Sequence, residues 1–172
     1  MMKMATGPRY KVPFRRRREG RTDYRHRAAL IKGGRPRAVV RKSNKNMRIQ
    51  FIDYLEKGDV VLAAAVSTEL SEFGWTASGK STPGAYLTGL LAGKRAKEKG
   101  VERSVLDIGL RKPTKGAAIF AALKGMLDAG IEIPHSDEML PNDDRISGKH
   151  MHEGTAAMFE STKSKIGGAT DE

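Results

Sequence analysis

Hydrophobic positions along this chain change period once, near residue 80. Before that point, short β-branched runs alternate with polar turns. Arg37-Ala-Val-Val-Arg-Lys42 is one such run, and it ends at Ser43-Asn44-Lys45-Asn46, residue types that tolerate turn dihedrals. Met47 to Tyr54 follows, with Glu56-Lys57-Gly58-Asp59 as a second turn. Val60 to Val66 is apolar on both faces, which predicts a strand lying centrally in the sheet. Two short connections in succession predict a three-stranded antiparallel meander.

Beyond residue 80 the spacing is helical. Thr82 followed by Pro83 reads as an N-cap with proline in the first helical position. Leu87, Leu90 and Leu91 form one apolar face, and Gly100 closes the helix after a basic last turn. Ser104 to Leu110 reads as a strand. Thr114 opens a second helix with Ile119, Phe120, Leu123, Met126 and Leu127 inward, and Gly130 ends it; Ile131 to Pro134 is a brief extended piece. The order β-β-β-α-β-α predicts an α/β fold: the meander, then helix-strand-helix on a mixed sheet of ribonuclease-H-like topology. The chain divides into an arm over 1–36, a body over 37–134 and a partly irregular extension over 135–172, where acids and then Gly, Ser, Thr and Lys replace the apolar pattern.

Charge sharpens this division. Residues 1–48 hold 17 Lys and Arg against two acids, Glu19 and Asp23. The remainder holds 15 against 18, so residues 1–48 carry +15 and the rest −3, which together give the formal net charge of +12. A segment so charged is built to meet a polyanion. Its Phe14-Arg15-Arg16-Arg17-Arg18 run continues through Arg21, Tyr24, Arg25 and Arg27. Guanidinium pairs bidentately with phosphate and stacks on bases, so nucleic acid is the leading partner. A helix from Arg15 to Lys32 is expected, with arginines around most of its circumference and a narrow seam at Tyr24, Ala28 and Ile31. The expected contacts are Arg9, Tyr10, Lys11, Phe14, Arg15, Arg16, Arg17, Arg18, Arg21, Tyr24, Arg25, Arg27, Lys32 and Arg35 in the arm. On the first hairpin they are Arg37, Arg41, Lys42, Ser43, Asn44 and Lys45. Phe14 and Tyr24 are the candidate stacking residues.

Several chemistries are disfavoured. The chain has no Cys, which removes disulfides and thiolate metal sites, and its longest apolar run is too short for a membrane span. The arginine-rich N-terminus could pass for a transit peptide, but its arginines are clustered and no Ser precedes Ser43. Gly74-Trp-Thr-Ala-Ser-Gly79-Lys80-Ser81 matches the phosphate-loop pattern G-x-x-x-x-G-K-[ST] of a nucleotide hydrolase. Its context is wrong. A stretch from Ser67 to Phe73 separates it from the preceding strand, and Pro83 follows too soon for Lys80 and Ser81 to open a helix. Lys80 is therefore expected to be dispensable for RNA binding. Two-metal nuclease chemistry needs converging carboxylates; the first strand, Arg37 to Lys42, has none, and only Asp107 is a plausible member. His150-Met-His152-Glu153 lacks a second anchoring pair and reads as exposed loop. No catalytic residue, metal, cofactor or small-molecule substrate is expected. A DNA-binding or general nucleic-acid-binding module would explain the arm equally well, but no recognition-helix pattern or zinc framework accompanies it.

Longer segments carry a resemblance. Tyr10-Lys-Val-Pro-Phe-Arg-Arg-Arg-Arg-Glu-Gly-Arg-Thr-Asp-Tyr24 resembles the opening of the archaeal and eukaryotic form of large-subunit ribosomal protein eighteen. So do Arg35 to Lys45, Ala85-Tyr-Leu-Thr-Gly89, Val105 to Leu110 and Leu127 to Ser136, and the likeness runs from about Pro8 to about His152. The resemblance implies a non-enzymatic protein of the cytoplasmic ribosome. Such a protein binds 5S ribosomal RNA, seats it in the central protuberance, and also meets large-subunit ribosomal RNA and neighbouring ribosomal proteins.

Overall fold

A computed structural model describes residues 7–168; residues 1–6 of the expected arm and 169–172 of the expected extension lie outside it. Four strands make one mixed sheet: β1 (Arg37–Lys42), β2 (Met47–Leu55), β3 (Gly58–Val66) and β4 (Val105–Asp107), in the order β3-β2-β1-β4. β1 and β2 pair antiparallel from Arg37↔Ile52 to Lys42↔Met47, and their turn closes as expected, with Ser43 Oγ accepting from the Asn46 amide at 2.9 Å. β4 returns parallel to β1, with Val39 opposite Asp107. It is shorter than the expected Ser104 to Leu110.

The expectation that β3 is central is corrected: it is an edge strand. Only its second half is covered, with Ala63 and Ala65 buried, while Val60 and Val61 near the hairpin tip are exposed. An apolar run at an edge needs its open backbone groups blunted. Arg95 donates to the Ala64 carbonyl at 2.8 Å and to Glu69, whose other oxygen accepts from the Val66 amide at 2.8 Å.

Two helices cover one sheet face. α3 (Thr82–Glu98) starts one residue earlier than the sequence predicts, because Ser81 is the cap and accepts from the Gly84 amide at 3.2 Å. α4 (Ala118–Asp128) starts later than Thr114 because Gly116 takes the left-handed conformation (φ 69°) that α-helix forbids. Ile119, Phe120, Leu123 and Met126 are buried as expected, in one core with Ala38, Val40, Ile49 and Phe51 of the sheet. α3 and α4 approach closely: a Cβ on Gly89 would strike the backbone of Ala122, and one on Gly125 the backbone of Tyr86. Gly89→Ala should therefore destabilise by about 2 kcal/mol in a urea melt, although alanine is the better helix former by about 1 kcal/mol.

The C-terminal region is more ordered than its composition suggests. After a short α5 (Asp143–Ser147) comes α6 (Thr155–Gly168), which buries Thr155, Phe159, Thr162 and Ile166. Phe159 packs against Tyr86 of α3 with ring centroids 5.4 Å apart, and Lys94 donates to the Ile166 carbonyl at 2.8 Å. The 4-3-4 spacing of those four positions is a coiled-coil-like seam hidden by two threonines.

Candidate nucleic-acid interface

The N-terminal segment is not one helix. α1 (Arg15–Arg18) is a single turn with no buried residue, and α2 (Tyr24–Lys32) follows after a break. Gly20 turns left-handed (φ 64°), and Asp23 caps α2 by accepting from the Arg25 and His26 amides at 2.9 and 3.1 Å. Those amide bonds, His26 first, hold the Asp23 carboxyl below the usual carboxylate range. The break lets the arginines face in two directions. Arg15 and Arg21 both reach Glu19, at 2.8 and 3.0 Å, and Arg16 donates to Thr22 Oγ1 at 2.9 Å. Exposed pairs of this kind are weak, so they orient the guanidinium groups without removing them from competition for phosphate.

Asp59 anchors this segment to the sheet. Its Oδ2 receives Arg27 from α2 and Arg37 from β1, both at 2.8 Å. Arg37 is buried, with its other terminal nitrogen 3.1 Å from Asp107 Oδ2. Asp107 Oδ1 also accepts from Arg41 and from the Gly109 amide, each at 2.9 Å. Burial alone would raise the Asp107 pKa, but the Arg41 hydrogen bond, the Gly109 amide and the flanking charges outweigh it and hold the group below its ordinary value. The strand carboxylate that might have served a metal is thus engaged by two guanidinium groups.

Above this buried pair lies a cleft of about 510 Å³ between the N-terminal segment and the turn after β4. Its cations are Arg16, Arg21, Arg27, Arg41, Lys42 and Arg111, with Arg37 at the floor. A second hollow of about 370 Å³ adjoins it, with Arg17, Tyr24 and Arg25 on its walls; Asp23, Thr22 and Leu110 border both. The structure therefore gathers Arg16, Arg17, Arg21, Tyr24, Arg25, Arg27, Arg41 and Lys42 from the sequence expectation. Arg15 and Arg18 stay exposed on α1, outside both hollows. Arg9, Lys11, Lys32, Arg35, Ser43, Asn44 and Lys45 are exposed elsewhere, and Tyr10 is half-buried. Phe14 is 71% exposed and tilted against Tyr24 with centroids 5.3 Å apart, so the two aromatics form one platform. Arg37 does not present its guanidinium to solvent. Sequence reasoning missed Arg111, whose Nη2 donates to the Lys42 carbonyl at 2.5 Å; the basic pair Arg111-Lys112 just after a strand was its signal.

The phosphate-loop match is not a nucleotide cradle. The loop folds back on itself, the Trp75 amide donating to the Leu70 carbonyl at 3.0 Å. Gly79 is pressed against Ser67, and Ser81 is occupied as the α3 cap. His150 and His152 are exposed, and no group of three or more potential metal ligands occurs among the described residues.

An α/β body with an arginine-walled cleft and an exposed aromatic platform defines a protein suited to nucleic-acid strands rather than to a small substrate. The comparisons give the family. Residues 8–104 and 96–136 match the family of ribosomal large subunit proteins 60S L5 and 50S L18, and the chain belongs to it. It is similar to the large ribosomal subunit protein uL18 of Aeropyrum pernix, 55% identical over 158 residues, covering 91% of this chain and 74% of that protein. The uL18 protein of Haloarcula marismortui is 56% identical over 150 residues, covering 87% and 80%, and that of Korarchaeum cryptofilum 55% over 148, covering 86% and 76%.

Proposed function

We propose that this chain is a structural, non-enzymatic constituent of the large ribosomal subunit that binds 5S ribosomal RNA and attaches it to the central protuberance. The carrying observation is the cleft: six cations converge there, and two of them, Arg27 and Arg41, are fixed to the sheet through Asp59 and Asp107. In this reading Arg15 to Arg18, Arg21, Arg25 and Arg41 meet phosphates and the Phe14–Tyr24 platform stacks on an unpaired base. Arg37 supports them from beneath. Large-subunit ribosomal RNA and neighbouring ribosomal proteins are further partners. No helix among the described residues is long and apolar enough to cross a membrane, and the family points to the cytoplasmic ribosome. Residues 1–36 act as the RNA-binding arm, 37–134 as the body and 135–172 as an extension. The parallel β1–β4 pair beside the meander supports a ribonuclease-H-like topology.

Equilibrium binding to a 5S transcript in excess transfer RNA tests the assignment. The full chain should retain the 5S complex. Replacing all four of Arg15 to Arg18 by alanine should lower the salt slope of binding by about 3 units. Folding should survive, because α1 buries no residue. Equal competition by transfer RNA would contradict the specificity, and an unchanged slope would remove α1 from the interface.

A further inference from the structure

A second basic cleft, of about 550 Å³, lies beside the first, between the Gly74–Ser81 loop, the start of α4 and the α5 region. Its charged walls are Lys42, Lys80 and Arg145, with His150 beside them. No carboxylate lines it, and no ion-pair partner of Lys42, Lys80 or Arg145 occurs among the described residues. The nearest acid in sequence to Arg145, Asp144, is bound to Lys149 at 2.7 Å. Lys42 lines both clefts, so the two adjoin at this residue.

We propose that this second cleft takes phosphates of the same 5S ribosomal RNA that occupies the first, so that the strand crosses Lys42 and runs on to Lys80 and Arg145. The inference rests on the RNA-binding reading above and extends it to residues outside the N-terminal segment. Like charges converging without an acid repel one another, and an anion between them relieves that repulsion. Lys42 registers it: burial first, then the charges of Arg111 and Lys80, push its ammonium pKa below the usual lysine value. The surrounding backbone suits the same ligand. α4 begins at Ala118 with no side chain capping its first amides, and Ser81 and Thr82 bring hydroxyl groups to the opposite wall. The continuity through Lys42 favours one RNA over two separate partners. It also reverses the sequence expectation for Lys80: the residue is not part of a nucleotide loop, yet it faces an anion-binding groove.

The test is the full-length double variant Lys80→Ala/Arg145→Ala, titrated with a 5S transcript at several salt concentrations. A thermal melt and circular dichroism confirm that both exposed substitutions leave the fold intact. Two lost phosphate contacts should lower the salt slope by about 1.5 units and weaken binding roughly tenfold near 150 mM monovalent salt. Arg16→Ala/Arg21→Ala, in the first cleft, serves as the reference. If the first-cleft variant loses affinity while the second-cleft variant binds 5S as the parent does, the inference falls and the RNA-binding reading stands. The inference falls equally if the second-cleft variant is impaired only on a large-subunit RNA transcript, since the two clefts then serve different RNAs. If the unaltered chain fails to bind 5S, both readings fail together.

Discussion

Raising monovalent salt from about 50 to about 200 mM should weaken the complex with 5S RNA roughly a thousandfold or more, if six to ten phosphates are neutralised. The count comes from geometry as well as composition. The first cleft and its flank present Arg16, Arg17, Arg21, Arg25, Arg41, Lys42 and Arg111, with Arg15 and Arg18 beside them on α1. Each phosphate contact releases condensed counterions, and that release is what salt opposes. The exposed pairs to Glu19 weaken over the same range, but each is worth at most about 1 kcal/mol and acts in the opposite direction. Fluorescence anisotropy across a salt series measures the slope. A binding constant that hardly moved would mean that the arginines do not neutralise phosphates and that affinity comes from stacking or shape.

Asp107→Ala should be the most destabilising exchange around the cleft, at about 3 kcal/mol or more in a denaturant melt. Arg37 and Asp107 are both buried, and deleting one member of such a pair strands the other charge in a poorly solvated site. Arg37 would keep only Asp59, and Arg41 would lose its side-chain acceptor. The exposed Arg103–Glu132 pair, 2.7 Å apart, is the control and should contribute less than about 1 kcal/mol. The pair also has an acid limb. Because the folded Asp107 pKa lies below its ordinary value of 3.8, its contribution is fully present above that value and is lost as pH falls through the lower folded one. The parent should therefore lose part of its advantage over Asp107→Ala below about pH 3.8. Equal stabilities at neutral pH would show the pair to be dispensable to the fold.

The helical half of the body was readable because its signals are local. Leu87, Leu90 and Leu91 recur at helical spacing, proline marks the start of α3, and Gly100 follows its end. The position of β3 was not readable from its composition. Both faces of Val60 to Val66 are apolar, yet only the inner half meets α3, and Arg95, some thirty residues away, seals part of the exposed edge. α6 escaped because two of its four buried positions are threonines. The charge of the N-terminal segment was plain, but its geometry was not. Gly20 and Asp23 divide it, and both are ordinary break signals overridden by the density of arginine. Arg37 and Arg41 look equivalent along the chain and share a strand face. The parallel return of β4 sets Asp107 between them, where it accepts from both, but only Arg37 also reaches Asp59 and is buried, while Arg41 stays on the cleft.

The central claim is that this chain holds 5S RNA through its basic segment, and its most direct test is the RNA that accompanies the native protein. Full-length tagged protein purified from cells of its source, before and after dissociation of ribosomes, should carry 5S RNA in near-stoichiometric amount. Large-subunit RNA should be present only while ribosomes remain intact. Recovery of no RNA from the dissociated fraction, or of a mixture without 5S enrichment, would contradict the claim.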